Sequence, residues 1–228
     1  MEKIVIFDWG GVIIHHYPAD NNAKDAIIRI FKSFNPSLTD EEAYHVYTST
    51  LKDENGIYIS QQNDKDSFIK WVNRIEKAGN FKTTFPEFYK RFSEEYKKTG
   101  YYKEVVSYVH SLKERGIKIG LFSDLICTCY EALNKEVDLS KFDYVWLSYM
   151  IHFRKNSEEA FIIVERTLNV LPENILFIDD TTVNIENAKK RGWQTCQATG
   201  DELEHIKDAV EQFLNNEYDN ISKNRIKG

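Results

Sequence analysis

The chain has few cysteines, no long apolar run and no concentration of basic charge, and each lack closes off a class of protein. Its three cysteines, Cys127, Cys129 and Cys196, form no C-x-x-C pair, so the common zinc frameworks are excluded and the residues read as free thiols. No apolar stretch approaches the ~18 residues that a membrane span requires. Lys and Arg number 30 against 36 Asp and Glu, for a net charge of −6. With no basic stripe, a nucleic-acid partner is not expected. Neither internal repeats nor low-complexity segments occur. The first strand begins almost at Met1, which leaves no room for a basic and then apolar leader, so a cytoplasmic protein without a membrane partner is expected.

What remains is an ordinary globular composition, 42% hydrophobic and 29% charged over 228 residues. That length suits one core domain carrying a smaller inserted one. The run Ile4-Val5-Ile6-Phe7 is apolar without alternation and passes into Asp8, Trp9 and the pair Gly10-Gly11. Such a run is the signature of a parallel strand buried on both faces and ending in a tight turn. In open parallel sheets ligands sit beyond the carboxyl ends of the strands, so Asp8 is either a turn residue or a functional one.

Residues 17–99 contain no such strand. Ala26, Ile27, Ile30 and Phe31 recur at helical spacing, Thr39 with Glu42 forms a capping box, Phe68, Trp71, Val72 and Ile75 mark a third helix ending near Gly79, and a fourth runs from about Thr84 towards Gly100. The region therefore reads as an all-helical cap inserted into a core made of residues 1–16 and 100–228. Pro18 and the stretch Lys98 to Gly100 are the expected hinges. Trp71, Tyr44, Tyr47 and Tyr58 are candidates to touch a substrate, with packing inside the bundle as the alternative.

From Tyr102 onward helices and strands alternate. Strands are predicted at Ile117 to Phe122, Asp143 to Tyr149, Asn174 to Ile178 and Thr195 to Ala198, and the tail beyond Asn215 is polar enough to fray. Five strands alternating with helices predict a Rossmann-like α/β fold, a parallel five-stranded sheet flanked by helices. Asp8, Ser123 and the pair Asp179-Asp180 then fall at the carboxyl ends of three strands, on one edge of the sheet. Converging carboxylates repel one another unless a hard cation holds them, and Mg²⁺ is the natural candidate. Taken alone, Lys155 reads as an exposed loop lysine and Ser123 as a helix N-cap. Beside the acids, an ammonium and a hydroxyl suit an anionic group such as a phosphate.

These residues carry a resemblance. F-D-W-G-G-V-I at Phe7 to Ile13, L-F-S-D at Leu121 to Asp124, R-K at Arg154-Lys155 and F-I-D-D-T-T-V-N at Phe177 to Asn184 resemble, in order and spacing, the four motifs of the haloacid dehalogenase-like hydrolase superfamily. The resemblance implies a phosphatase-type enzyme with a helical cap, acting on a small phosphorylated metabolite of sugar-phosphate type as a monomer or homodimer. It implies that Asp8 is the nucleophile, that Ser123 and Lys155 bind the phosphoryl oxygens, and that Asp8, the Gly10 carbonyl, Asp180 and Asp179 hold Mg²⁺, Asp179 directly or through water. Asn184 falls where the family often has a further polar residue near the metal.

One position departs from the pattern. The family's phosphatases commonly carry a second aspartate two residues after the nucleophile, as general acid and base, and here that residue is Gly10. A positioned acid–base group typically contributes ~10²–10⁴ in rate. A substrate with a good leaving group, such as a sugar 1-phosphate or an acyl phosphate, would make the loss tolerable, and His15 or His16 is a conceivable substitute acid if not a hinge residue. The alternative is a catalytically weakened phosphate-binding or regulatory protein. The dehalogenase branch fits less well, because it works without metal and usually lacks the paired acids found here at Asp179-Asp180.

Overall fold

The computed structural model describes residues 2–15, 23–127 and 137–225, with residue 23 and residues 216–225 described by their backbone course alone. His16, Pro18 and Cys129 lie outside these residues. In chain order the elements are β1 (Ile4–Phe7), α1 (Ala23–Phe34), α2 (Asp40–Thr50), α3 (Lys65–Gly79), α4 (Phe85–Tyr96), α5 (Lys103–Glu114), β2 (Lys118–Ser123), β3 (Tyr144–Leu147), α6 (Ser148–Ile151), α7 (Glu158–Leu168), β4 (Ile175–Asp179), α8 (Thr182–Lys190), β5 (Gln194–Gln197) and α9 (Leu203–Arg225). The strands form one sheet in the order β3-β2-β1-β4-β5, and every neighbouring pair is parallel.

Period-two alternation divides the strand side chains between two cores. Val5, Phe7, Ile119, Leu121, Leu176 and Ile178 face α5 and α9, whereas Ile4, Ile6, Phe122, Ile175 and Phe177 face α7 and α8. Both faces of the central strands are covered, which is why β1 and the start of β4 read as unbroken apolar runs. Each fully buried aliphatic or aromatic side chain contributes roughly 1.5–3 kcal/mol. The register sets Phe7 opposite both Leu121 and Ile178. The carboxyl ends of β1, β2 and β4 are therefore level, and the residues that follow them meet.

Helices α1 to α4 occupy the chain between β1 and α5. Their starts follow the local signals: Thr39 Oγ1 accepts from Glu42 N at 3.2 Å while the Glu42 carboxylate accepts from Thr39 N at 2.8 Å, and Asp64 and Thr84 cap α3 and α4. Trp71 is packed among Tyr47, Phe68, Phe88 and Phe92, with ring centroids between 5.5 and 6.4 Å apart, and is 1% exposed. It is a core residue of the bundle, not a substrate contact. The outgoing and returning chain lie side by side, with His15 N donating to Gly100 O and Tyr102 N to Ile13 O, each at 2.9 Å. The His15 ring packs edge-on against Tyr102 at 4.4 Å. Gly100 is small because a Cβ there would lie 2.8 Å from His15 Nδ1.

Several boundaries differ from expectation. The third strand stops at Leu147 and turns into α6, because Ser148 Oγ is drawn into hydrogen bonds with Ser60 O and Leu125 N that sequence periodicity cannot register. Helix α4 ends at Tyr96, with turn bonds continuing as far as Thr99. Helix α9 runs to Arg225 where the polar composition predicts fraying. No described helix is long and apolar enough to cross a membrane.

Candidate active site

Asp8 leaves β1 with its backbone still tied to the sheet, its N–H donating to Ile178 O at 2.9 Å. The chain then curls: Ile13 N and Ile14 N both donate to Trp9 O at 2.9 Å, and Gly11 takes φ +79°, a left-handed conformation that favours glycine. The curl turns Trp9 N back onto Asp8 Oδ1 at 2.6 Å. Gly10, half-buried, belongs to the same turn and bridges to Ile14.

Lys155 comes from the loop after α6 and is not the exposed loop lysine that it resembles in isolation. Its side chain is 2% exposed, and Nζ lies 2.6 Å from both Asp8 Oδ1 and Asp179 Oδ2. Aromatic rings flank it, with Phe177 at 5.6 Å and Phe122 at 5.9 Å from Nζ. Its backbone is fixed as well: Lys155 N donates to Asp124 Oδ1 at 3.0 Å, Arg154 Nε donates to Asp124 Oδ2 at 2.9 Å, and Lys155 O accepts from Asn187 Nδ2 at 3.1 Å.

The two acids that end β4 differ in situation. Asp179 is fully buried and accepts from Lys155 Nζ, from Thr181 N at 2.8 Å and from Asn184 Nδ2 at 3.0 and 3.1 Å. Asp180 is half-buried, and Thr181 Oγ1 donates to its Oδ1 at 3.1 Å. One carboxylate oxygen from each of Asp8, Asp179 and Asp180 lies within 4.8 Å of the others. Ser123 closes β2, the strand next to β1, is 3% exposed, and does not start a helix.

Among the described residues, the Lys155 ammonium pairs with two of these three carboxylates, Asp8 and Asp179. Burial above all, then the charges of Asp179 and Asp180, push the Asp8 carboxyl well above its ordinary range, although Lys155 pulls it down. For Lys155, burial alone would favour the neutral amine, but Asp8 and then Asp179 outweigh it and keep the ammonium charged. Such a set of oxygen donors fits a small hard cation. The sequence marks Asp124 only as a carboxylate directly after Ser123, and its task of bracketing Arg154 and Lys155 is visible in the fold alone.

Of the other candidates, His15 is packed at the chain crossing, and Cys127 and Cys196 are free thiols. Tyr44 and Tyr47 pack with the helical bundle. Tyr58 faces the loop after α6, with its ring centroid 4.0 Å from the Arg154 guanidinium carbon.

A family model described as "Haloacid dehalogenase-like hydrolase" matches residues 5–198. No curated protein matches the sequence. Among solved structures, a predicted HAD-like family hydrolase from Porphyromonas gingivalis is similar at 20% identity and a TM-score of 0.69, covering 94% of this chain and 98% of its own. A HAD family enzyme from Bacteroides thetaiotaomicron, solved in complex with magnesium and inorganic phosphate, is similar at 17% identity and a TM-score of 0.65, covering 89% and 96%. An L-2-haloacid dehalogenase from Xanthobacter autotrophicus follows at 15% identity and a TM-score of 0.60, covering 86% and 76%.

Proposed function

The chain belongs to the haloacid dehalogenase-like hydrolase family, and from that premise we propose a Mg²⁺-dependent phosphatase of small phosphorylated metabolites, working through a phosphorylated Asp8. The observation that carries the reading is the cluster of Asp8, Asp179 and Asp180 with Lys155 wedged between the first two. A structural neighbour solved with magnesium and inorganic phosphate supports it. We read residues 17–99 as the cap and residues 1–16 and 100–228 as the core.

Asp8, Asp180 and the Gly10 carbonyl would hold the metal, with Asp179, which also accepts from Lys155, Thr181 and Asn184, contributing directly or through water. When bound, Mg²⁺ supplies positive charge that offsets the negative charge of the acids and of the phosphoryl oxygens. Ser123 and Lys155 bind and orient the phosphoryl group. An Asp8 carboxylate oxygen attacks phosphorus, the phosphorus–oxygen bond to the leaving group breaks, and the leaving group departs with the electron pair. Water then attacks the aspartyl-phosphate at phosphorus, releasing inorganic phosphate and restoring Asp8. Lys155, fixed through Asp124, damps the repulsion between Asp8 and the incoming dianion.

The test is hydrolysis of acetyl phosphate and p-nitrophenyl phosphate with Mg²⁺, with EDTA, and with Asp8→Asn. Turnover is expected only in the first case, and equal turnover in all three would end the reading. Gly10 favours a second one, a phosphate-binding protein with weakened catalysis, which predicts Mg²⁺ and phosphate binding but negligible turnover across a metabolite panel.

A further inference from the structure

A 3₁₀ turn of the helical insert, Ile59–Gln61, grips the core on the segment that carries Lys155. Ser148 Oγ donates to Ser60 O at 2.7 Å and accepts from Leu125 N at 2.9 Å, both buried. Gln61 Nε2 donates to His152 O at 3.0 Å, and His152 Nδ1 lies 3.0 Å from Gln61 O, an acceptor that calls for a proton on that nitrogen. Tyr58, just before the turn, lays its ring against the Arg154 guanidinium at 4.0 Å, and the same ring has Lys52 Nζ at 4.7 Å. Three residues of the insert thus meet residues 148, 152 and 154, and Lys155 is next in the chain.

Arg154 is committed in two directions at once. Its guanidinium carbon lies 4.0 Å from the Tyr58 ring centroid, while its Nε holds Asp124. The other oxygen of Asp124 accepts from the Lys155 backbone. A guanidinium suits this arrangement because a planar fork can stack and hydrogen-bond simultaneously, which an ammonium cannot.

We infer that Tyr58 is a positioning residue for Lys155: by docking on Arg154 it locks the Asp124 bracket that aims the Lys155 ammonium between Asp8 and Asp179, so that seating of the insert completes the site. The functional importance of Lys155 rests on the phosphatase reading, but the mechanical coupling does not. Tyr58 touches Arg154 and acts only through it.

The experiment measures hydrogen exchange of the Lys155 backbone amide in the full chain, alongside steady-state kinetics with acetyl phosphate and Mg²⁺. Loss of a stacked cation corresponds to roughly 3- to 30-fold. Tyr58→Leu, which keeps apolar bulk without the ring, is expected to speed Lys155 amide exchange by about that factor and to lower kcat with KM within about twofold. Tyr58→Phe, which keeps the ring, is expected to match the parent protein in both. Exchange at Phe177, in the middle of β4, should not change. If Tyr58→Leu loosens the whole sheet, Arg154→Lys applies the same test from the core side and should show the same local acceleration. Parental exchange at Lys155 in Tyr58→Leu, or failure of Tyr58→Phe to restore protection, would overturn the inference. If the parent protein releases no phosphate from any substrate, the phosphatase reading fails while the exchange comparison still decides the coupling.

Discussion

Gly11 and Asp180 approach so closely that a Cβ on Gly11 would stand 2.3 Å from Asp180 Oδ2. The glycine also has φ +79°, so Gly11→Ala carries two burdens. The left-handed backbone costs an L-residue ~1–2 kcal/mol, which in a chain of this size lowers the melting temperature by about 2–8 °C. The clash falls on the end of a side chain that can rotate, so relief comes by moving the Asp180 carboxylate out of the cluster. The larger effect is therefore expected on metal binding. Titration calorimetry with Mg²⁺ should show at least a tenfold weaker affinity alongside a modest loss in melting temperature. Parental Mg²⁺ affinity would mean that Asp180 is no ligand.

The second glycine of the pair was legible as a turn residue but not as the space that Asp180 occupies, because that contact joins residues far apart in the chain. Sequence did well where the determining interactions are local or repetitive. The buried strands announce themselves as apolar runs, and the Thr39–Glu42 capping box is made by the two residues whose spacing predicts it. It did less well where a tertiary contact overrides local preference, as at Ser148, which Ser60 pulls out of the strand. Lys155 shows both sides. Its side chain could be matched to a motif, but only the fold reveals that the ammonium is buried between two carboxylates and that Asp124, Arg154 and Tyr58 hold its backbone from behind.

The raised Asp8 pKa makes a statement about stability. A carboxyl whose folded pKa lies above its unfolded value of ~3.9 favours folding below that value, and the benefit is lost as pH rises through the folded pKa. Above it, the metal-free fold holds a charge it disfavours. Asp8→Asn should then raise the melting temperature in EDTA at neutral pH, by about 2–4 °C for each kcal/mol relieved, and the gain should shrink towards pH 4. Mg²⁺ should stabilise the parent protein more than the variant, since a bound cation removes the penalty. Thermal scans with and without Mg²⁺ at several pH values check this, and a lower melting temperature for Asp8→Asn in EDTA at neutral pH would contradict it.

Gly10 allows a gain of function to be tested. Its φ is not positive, unlike that of Gly11, so a side chain there meets no left-handed penalty. A carboxyl two residues after Asp8 would stand where the family's phosphatases commonly keep their general acid. Without it, departure of the leaving group depends on that group's own acidity. The parent protein should therefore hydrolyse acyl and aryl phosphates far better than alkyl phosphates, with rates that fall steeply as the leaving-group pKa rises. Gly10→Asp should flatten that dependence and raise alkyl phosphate turnover by up to ~10²-fold, the lower end of what a positioned acid contributes. Acyl phosphate turnover should change little, because a leaving carboxylate needs no proton. A series of aryl and alkyl phosphates assayed with both proteins measures the two slopes. Equal slopes would show that another residue already serves as the acid, and no turnover in either protein would favour the phosphate-binding reading over the enzyme.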